Sequence, residues 1–205
     1  MKKYGNDYRK KENGYEYTGE WYTSPLNTQQ LSRQSLISFA LLTPMTILFL
    51  AGLSFDNAGG RIFWILIPYV TMGLPLAYGW MGSAALYTFC RKQKQGKTER
   101  SDGRGRTDST VVIPKEHQGK MLRSEYEKGI RRPLRCGIVL ILLSSLSLAA
   151  DVWMLFQHNA KLSMVRESCF AAMISSILFC SIVLTWQCVK TKKGFSHESA
   201  TKSNS

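Results

Sequence analysis

Within the segment "SSLSLAADVWMLF", residues 144–156, Asp151 is the single ionisable side chain in an otherwise apolar run. Ser144, Ser147 and Asp151 recur at i, i+3 and i+7, which puts them on one face of a helix. Oxygens in that arrangement suit two roles. The first is an anchor near the outer interface, with Asp151 paired to Arg61 or Arg166 and Lys161 as a looser counter-charge. The second is a site for a cation or a proton. A carboxylate inside a membrane span is costly away from the interface, so either role must neutralise it. The expectation is that the face carrying the three residues turns inward, away from lipid.

Other chemistry finds no support. His117, His158 and His197 fall in loops or tails, and no G-x-S-x-G, H-E-x-x-H or phosphate-binding glycine loop occurs. Five cysteines form no C-x-x-C pair and have no histidine at ligand spacing, so neither a metal nor another cofactor is expected. They are read as small packing residues. The chain is therefore expected not to be an enzyme.

A second group of residues concerns helix shape. The stretch "IFWILIPYVTMGLPLAYGWMGSAALYTFC" contains Pro68, Gly73 and Pro75. Each proline lacks an N–H and frees a carbonyl one turn earlier. Such carbonyls can bind an ion at mid-membrane, but kinked packing satisfied by neighbouring groups such as Tyr69 and Thr71 is the default. Small residues at four-residue spacing mark expected helix-packing faces: Gly79 and Ser83, then Ser145 and Ala149, then Ala172 and Ser176.

The elements that position these residues follow from hydropathy. Four windows, 35–55, 62–90, 136–156 and 168–189, contain no internal Lys or Arg. A helix of roughly 20 apolar residues spans the ~30 Å hydrocarbon core. The expected fold is thus an all-α membrane protein whose four transmembrane helices form two helical hairpins, 35–90 and 136–189. No cleavable signal sequence is expected, because the first 34 residues hold no apolar core segment. Of the 27 Lys and Arg residues, 24 lie in segments 1–34, 91–135 and 190–205. The excess of cations places those segments, and both termini, in the cytoplasm. Trp64 and Trp153 toward the outer ends, and Tyr87 and Trp186 toward the inner ends, suit an interfacial belt.

The polar segments carry their own expectations. The aromatic-rich tail 1–34 contains "NGYEYTGEWYTSPLN", with Gly19 read as a turn between two short strands, and its aromatics lie at the headgroups or serve as a docking arm. The basic loop 91–135 begins without apolar residues and is expected to be disordered there. Ser124 and Glu127 have capping-box spacing for an interfacial helix near 124–135. Pro133 bends or restarts that helix, and Met121, Leu122, Tyr126 and Ile130 form a membrane-facing stripe. The tail 190–205 is expected to be disordered. With a net charge of +13 the chain favours anionic partners. Lipid headgroups, reached through 91–135, are preferred. Nucleic acid is unlikely, because the basic loop lacks interleaved aromatics or a recognised module.

The order "YTGEWY", "NAGGRIFWILIPYV", "RSEYEKGIRR" and "AADVWML" resembles an uncharacterised group of small four-span integral membrane proteins of Gram-positive bacteria. The resemblance covers those short stretches and leaves out the basic loop. It implies a multi-pass protein of the bacterial plasma membrane and brings no activity, cofactor or site residue. The first functional expectation is a non-enzymatic accessory or interaction subunit acting through helix packing and cytoplasmic contacts, with a membrane protein or a second copy as partner. The alternative is an oligomeric transporter or channel subunit using the broken second span and Asp151.

The charge distribution generates a direct test. In a background without the native cysteines, single cysteines at Asn57 and Asn159 are expected to react with an impermeant maleimide on intact cells, while one at Ser109 stays protected. Labelling at Ser109 alone would reverse the orientation.

Overall fold

The computed structural model describes residues 8–11, 14–24, 26–54, 63–94, 99–101, 110–112, 120–157 and 164–198. Four helical stretches are long and apolar enough to cross a membrane: Thr28–Leu53, Phe63–Gln93, Arg123–Phe156 and Val165–Lys193. The first, α1 (Thr28–Leu53), starts where the Asn27 amide donates to Gln30 Oε1 at 3.2 Å, a reciprocal cap that satisfies an otherwise open donor. It packs on α3 (Gly73–Lys94) and α6 (Met164–Lys193), whereas α5 (Arg132–Gln157) packs on α6, α3 and the short α2 (Phe63–Thr71). Large apolar side chains point out of all four spans; Trp64 is 78% exposed, Trp153 67% and Phe179 68%. In water so broad an apolar surface would drive association. Facing lipid it needs no cover. Hydroxyls on the outer faces bond back to their own helices, as Ser175 does to the Ala171 carbonyl and Ser176 to that of Ala172, both at 2.8 Å.

The main core holds Leu42, Met45, Phe49, Tyr69, Met72, Leu140, Phe170 and Ile174 among others. It is organised around the interruption of the second span. Met72 separates α2 from α3, its amide donating to the Tyr69 carbonyl at 3.1 Å. Thr71 covers two further carbonyls, its hydroxyl lying 2.9 Å from those of Ile67 and Pro68. Pro68 and Pro75 are buried and Gly73 faces Phe49, so the break lies inside protein. The default expectation of a satisfied, packed break describes it. Tyr69 fixes the break to the first span. Its hydroxyl donates to the Phe49 and Leu48 carbonyls at 2.9 and 3.2 Å, and its ring packs on Phe49 and Phe170. Gly52 is required there, because a Cβ would collide with the Tyr69 hydroxyl.

Toward the end that bears the termini, a second core gathers Leu31, Leu86, Phe89, Cys90, Met121, Tyr126 and Ile130. The proposed membrane-facing stripe is thus corrected: Met121, Leu122, Tyr126 and Ile130 are buried within the protein. Met121 and Leu122 form β6 of a three-stranded antiparallel sheet in which β3 (Trp21–Thr23) lies between β6 and β7 (Ser196–Glu198). Trp21 is fully buried, and Tyr22 stacks on Tyr126 with ring centroids 4.1 Å apart. The tail aromatics therefore bind their own chain. Burial, together with the bond from the Tyr22 hydroxyl to Glu20 Oε2 at 2.9 Å, pushes the Tyr22 pKa up to about 12.

The strands amend the all-helical expectation, which holds for the spans alone. A second sheet, in the order β1-β2-β5-β4, pairs the hairpin β1 (Tyr8–Lys11) and β2 (Gly14–Tyr17) with β5 (Thr110–Val112) and β4 (Glu99–Ser101). The hairpin thus closes before Tyr15 and Tyr17, and Gly19 lies between the two sheets rather than in a hairpin turn. Part of the basic loop and part of the tail after residue 190 are ordered as strands or helix, since partner strands supply the backbone bonds that a solitary polar segment lacks.

The lead-in to the third span also differs in register. α4 (Arg123–Tyr126) begins with Leu122 as cap, whose amide donates to Glu125 Oε2 at 3.1 Å, so the cap lies two residues before the expected Ser124. α5 begins at Arg132, one residue before Pro133. The turn Glu127–Arg131 widens to a π-helix, with the Arg132 amide reaching the Glu127 carbonyl, and this absorbs the missing proline donor. Gly82 of α3 lies beneath that turn: a Cβ there would stand 2.7 Å from Pro133 Cγ and 3.1 Å from the Lys128 carbonyl. At Gly129 the nearest atom is a Leu86 carbon at 3.4 Å, an ordinary contact. Gly82→Ala is expected to cost about 1–3 kcal/mol through overpacking. Gly129→Ala is expected to be neutral or stabilising by up to about 1 kcal/mol, the helix-propensity gain. Detergent melting temperatures of the two variants check this, and equal losses would mean the close approach at Gly82 is absent.

Candidate functional site

Ser144, Ser147 and Asp151 all project from α5 into the bundle and are fully buried. Ser144 donates to the Leu140 carbonyl at 2.6 Å and lies 3.8 Å from Met72 Sδ, at the break of the second span. One end of the polar face thus touches the interruption. At the other end lies Asp151, and Glu167, in the first turn of α6, is near enough across the α5–α6 interface for the two carboxyls to repel. Glu167 is 1% exposed. Neither oxygen of Asp151, nor Ser147 Oγ, has a hydrogen-bond partner among the described residues.

The expected ion pair is not formed with Arg166. That residue neighbours Glu167 in sequence, lies on the exposed side of α6, and makes no hydrogen bond to Asp151. A rotation of about 100° per residue separates adjacent helical positions, so burying Glu167 turns Arg166 outward. Arg61 and Lys161 lie outside the described residues. Glu167 is the site residue that the sequence reading missed. Its signal was present: Glu167, Phe170, Ile174, Ile177, Ser181, Leu184 and Cys188 are all buried at three- and four-residue steps. Extending that inner row one turn upstream of the apolar window leads to Glu167.

The small-residue rows divide. Gly79 and Ser83 are buried against α1; Gly79 approaches Leu42, and the Ser35 hydroxyl donates to the Ser83 carbonyl at 2.9 Å. Ser145, Ala149, Ala172 and Ser176 are exposed on the outside of the bundle. Within this chain they pack no helices, a correction whose cause is that the larger residues Leu140, Met154, Ile174 and Ile177 fill the α5–α6 interface instead. Gly137 is the small residue that closes that interface, where a Cβ would collide with Thr185 Oγ1.

Two carboxyls, with serine oxygens one and two turns from Asp151, can hold a proton or a small cation. They supply no nucleophile–base pair. Among the described residues no group of His, Cys, Asp and Glu has metal-site geometry, and all five cysteines are free thiols. Comparison with protein-family profiles, curated proteins and solved structures finds no match to this chain.

A buried oxygen pair without donors is a stability cost. Replacing Asp151 by Leu, similar in bulk and free of polar atoms, is expected to raise detergent stability by about 1–3 kcal/mol, the usual cost of burying an unpaired polar group. A lower melting temperature for Asp151→Leu would show that the carboxylate has a stabilising partner.

Proposed function

We propose that the protein is a non-enzymatic multi-pass membrane protein that serves as an accessory subunit, binding a membrane partner through the outer faces of its third and fourth spans. The observation that carries this is the exposure of Ser145, Ala149, Ala172 and Ser176. Close helix approach in lipid depends on such small residues, because lipid tails are as apolar as leucine and offer no hydrophobic drive. The faces are not consumed by the chain's own packing, which leaves them for a partner protein or a second copy. The charge split supports a plasma-membrane arrangement of two helical hairpins with both termini, the 91–135 loop and the sheets in the cytoplasm. Basic residues of that loop there contact anionic headgroups. The resemblance noted above supports a bacterial plasma membrane.

The test uses bulk where the fold tolerates it. Ala172→Leu and Ser176→Leu face outward, so abundance and detergent stability are expected to stay unchanged. Proteins recovered stoichiometrically from native membranes with the parent chain are expected to be lost from both variants. Undiminished recovery of the same partner would remove these faces from the interaction.

The carboxyl pair favours a second reading, a transporter or channel subunit that moves a proton or cation and works as an oligomer, since four spans enclose little alone. Under it, Asp151→Asn leaves the protein abundant and folded but reproduces the deletion phenotype. Wild-type behaviour of that variant would end the transport reading.

A further inference from the structure

At the end of the bundle bearing the termini, the start of α1 and the end of α6 enclose a groove of about 510 Å³. Its lining includes Arg33 and Gln34 from α1 and Trp186, Gln187 and Lys190 from α6, with Ile37 deeper. Among the described residues, no acidic side chain lines it. Arg33 precedes the first apolar window and Lys190 follows the last, so both cations stand where a bilayer's polar layer begins. Ile37 is one turn deeper than Arg33, and Trp186 one turn deeper than Lys190, about 5.4 Å in each case. The walls therefore pass from cationic to apolar over the distance that separates a phospholipid's phosphate from its acyl chains.

The floor is built rather than accidental. Gln34 Nε2 donates to the Gln187 backbone carbonyl at 3.3 Å, tying α1 to α6 beneath the cations. Lys190 Nζ lies 5.6 Å from the centre of the Trp186 ring, which holds the ammonium over the groove side of α6. Neither Arg33 nor Lys190 forms an ion pair with a described residue. Gln187 lines the groove and its Oε1 is buried without a hydrogen-bond partner among the described residues, an acceptor that a turn of the side chain brings to a donor on the ligand. The helix ends contribute opposing fields, positive from α1 and negative from α6, which offset one another and leave the side-chain cations decisive.

We propose that this groove binds one anionic phospholipid, its phosphodiester held between Arg33 and Lys190, a headgroup hydroxyl donating to Gln187, and an acyl chain running along Ile37 and Trp186. Phosphatidylglycerol has all three features: a single negative phosphodiester, free hydroxyls and two chains. A soluble phosphate would leave the apolar lower wall unused. The site is separate from the electrostatic contacts of the 91–135 loop and needs only that the helices span a bilayer.

The test reads Trp186 directly. The full chain is reconstituted in vesicles of phosphatidylcholine with a minority of phosphatidylglycerol, bromine being placed on the acyl chains of one lipid or the other. The Trp186 signal is the difference between the parent and Trp186→Phe. Phosphatidylglycerol carrying bromine is expected to quench Trp186 more than its mole fraction predicts. In the double variant Arg33→Gln, Lys190→Gln the enrichment is expected to fall about 30-fold, at about 1 kcal/mol per surface cation and tenfold per 1.4 kcal/mol. Lys190→Arg should keep it, and Arg91→Gln with Lys92→Gln, at the end of α3, should leave it unaltered. Quenching in proportion to mole fraction in the parent, or enrichment that survives loss of both cations, would overturn the site. Abolition of the enrichment by millimolar glycerol phosphate would also overturn it, by showing a site for free anions. Absence of quenching by either brominated lipid would instead mean that α6 does not sit in the bilayer.

Discussion

A backbone amide or carbonyl stripped of its partner costs several kcal/mol in hydrocarbon, where no water can replace it. The second span loses two donors, at Pro68 and Pro75, and it survives as a span because other groups of the protein enclose the gap. Thr71 covers the Ile67 and Pro68 carbonyls from within, and Tyr69 fixes the break to the first span through the Phe49 and Leu48 carbonyls, in the space left by Gly52. With the hydroxyl fixed there, α2 leans on α5 while α3 stays on α1. That change of neighbour brings Met72 against Ser144 and thereby sets one end of the polar face that leads to Asp151.

Period and length made the four spans legible, and the i, i+3, i+7 spacing placed Ser144, Ser147 and Asp151 on one buried face. The break at Pro68, Gly73 and Pro75 was equally visible, since proline acts through local covalent geometry. Less legible was anything set by which of two similar faces wins the interior. Ser145 and Ala149 have the spacing of a packing face, as do Ala172 and Ser176. Yet the bulkier row on each helix buries more apolar area and turns the small residues outward. Glu167 was obscured by its position at a span edge, where a charge is expected to face water. The two short strands flanking Gly19 were legible, but β1, β4, β5, β6 and β7 were missed, because most short polar segments acquire a β conformation only from partners far away in sequence.

The polar end differs in kind from the spans. Its sheet is three residues wide or less, too small to be stable alone. What holds it is aromatic burial: Trp21 of β3 packed inward, Tyr22 flat on Tyr126, and Phe195 against the same ring. The continuous helix from Arg123 through the π-helical turn into α5 makes that assembly an extension of the third span. The cations of Arg33 and Lys190 lie beside it at the membrane boundary, so lipid and sheet share the same two helix ends.

The strand order has a consequence for synthesis. β3 lies near the start of the chain, yet both of its neighbours come later, and β7 follows the fourth span. β6 precedes the third span and can pair with β3 once two spans are made, whereas β7 closes the other edge only after the fourth. Closure of the sheet therefore registers completed insertion. A chain arrested after two or three spans leaves the other edge of β3 unpaired, a template for pairing with another chain.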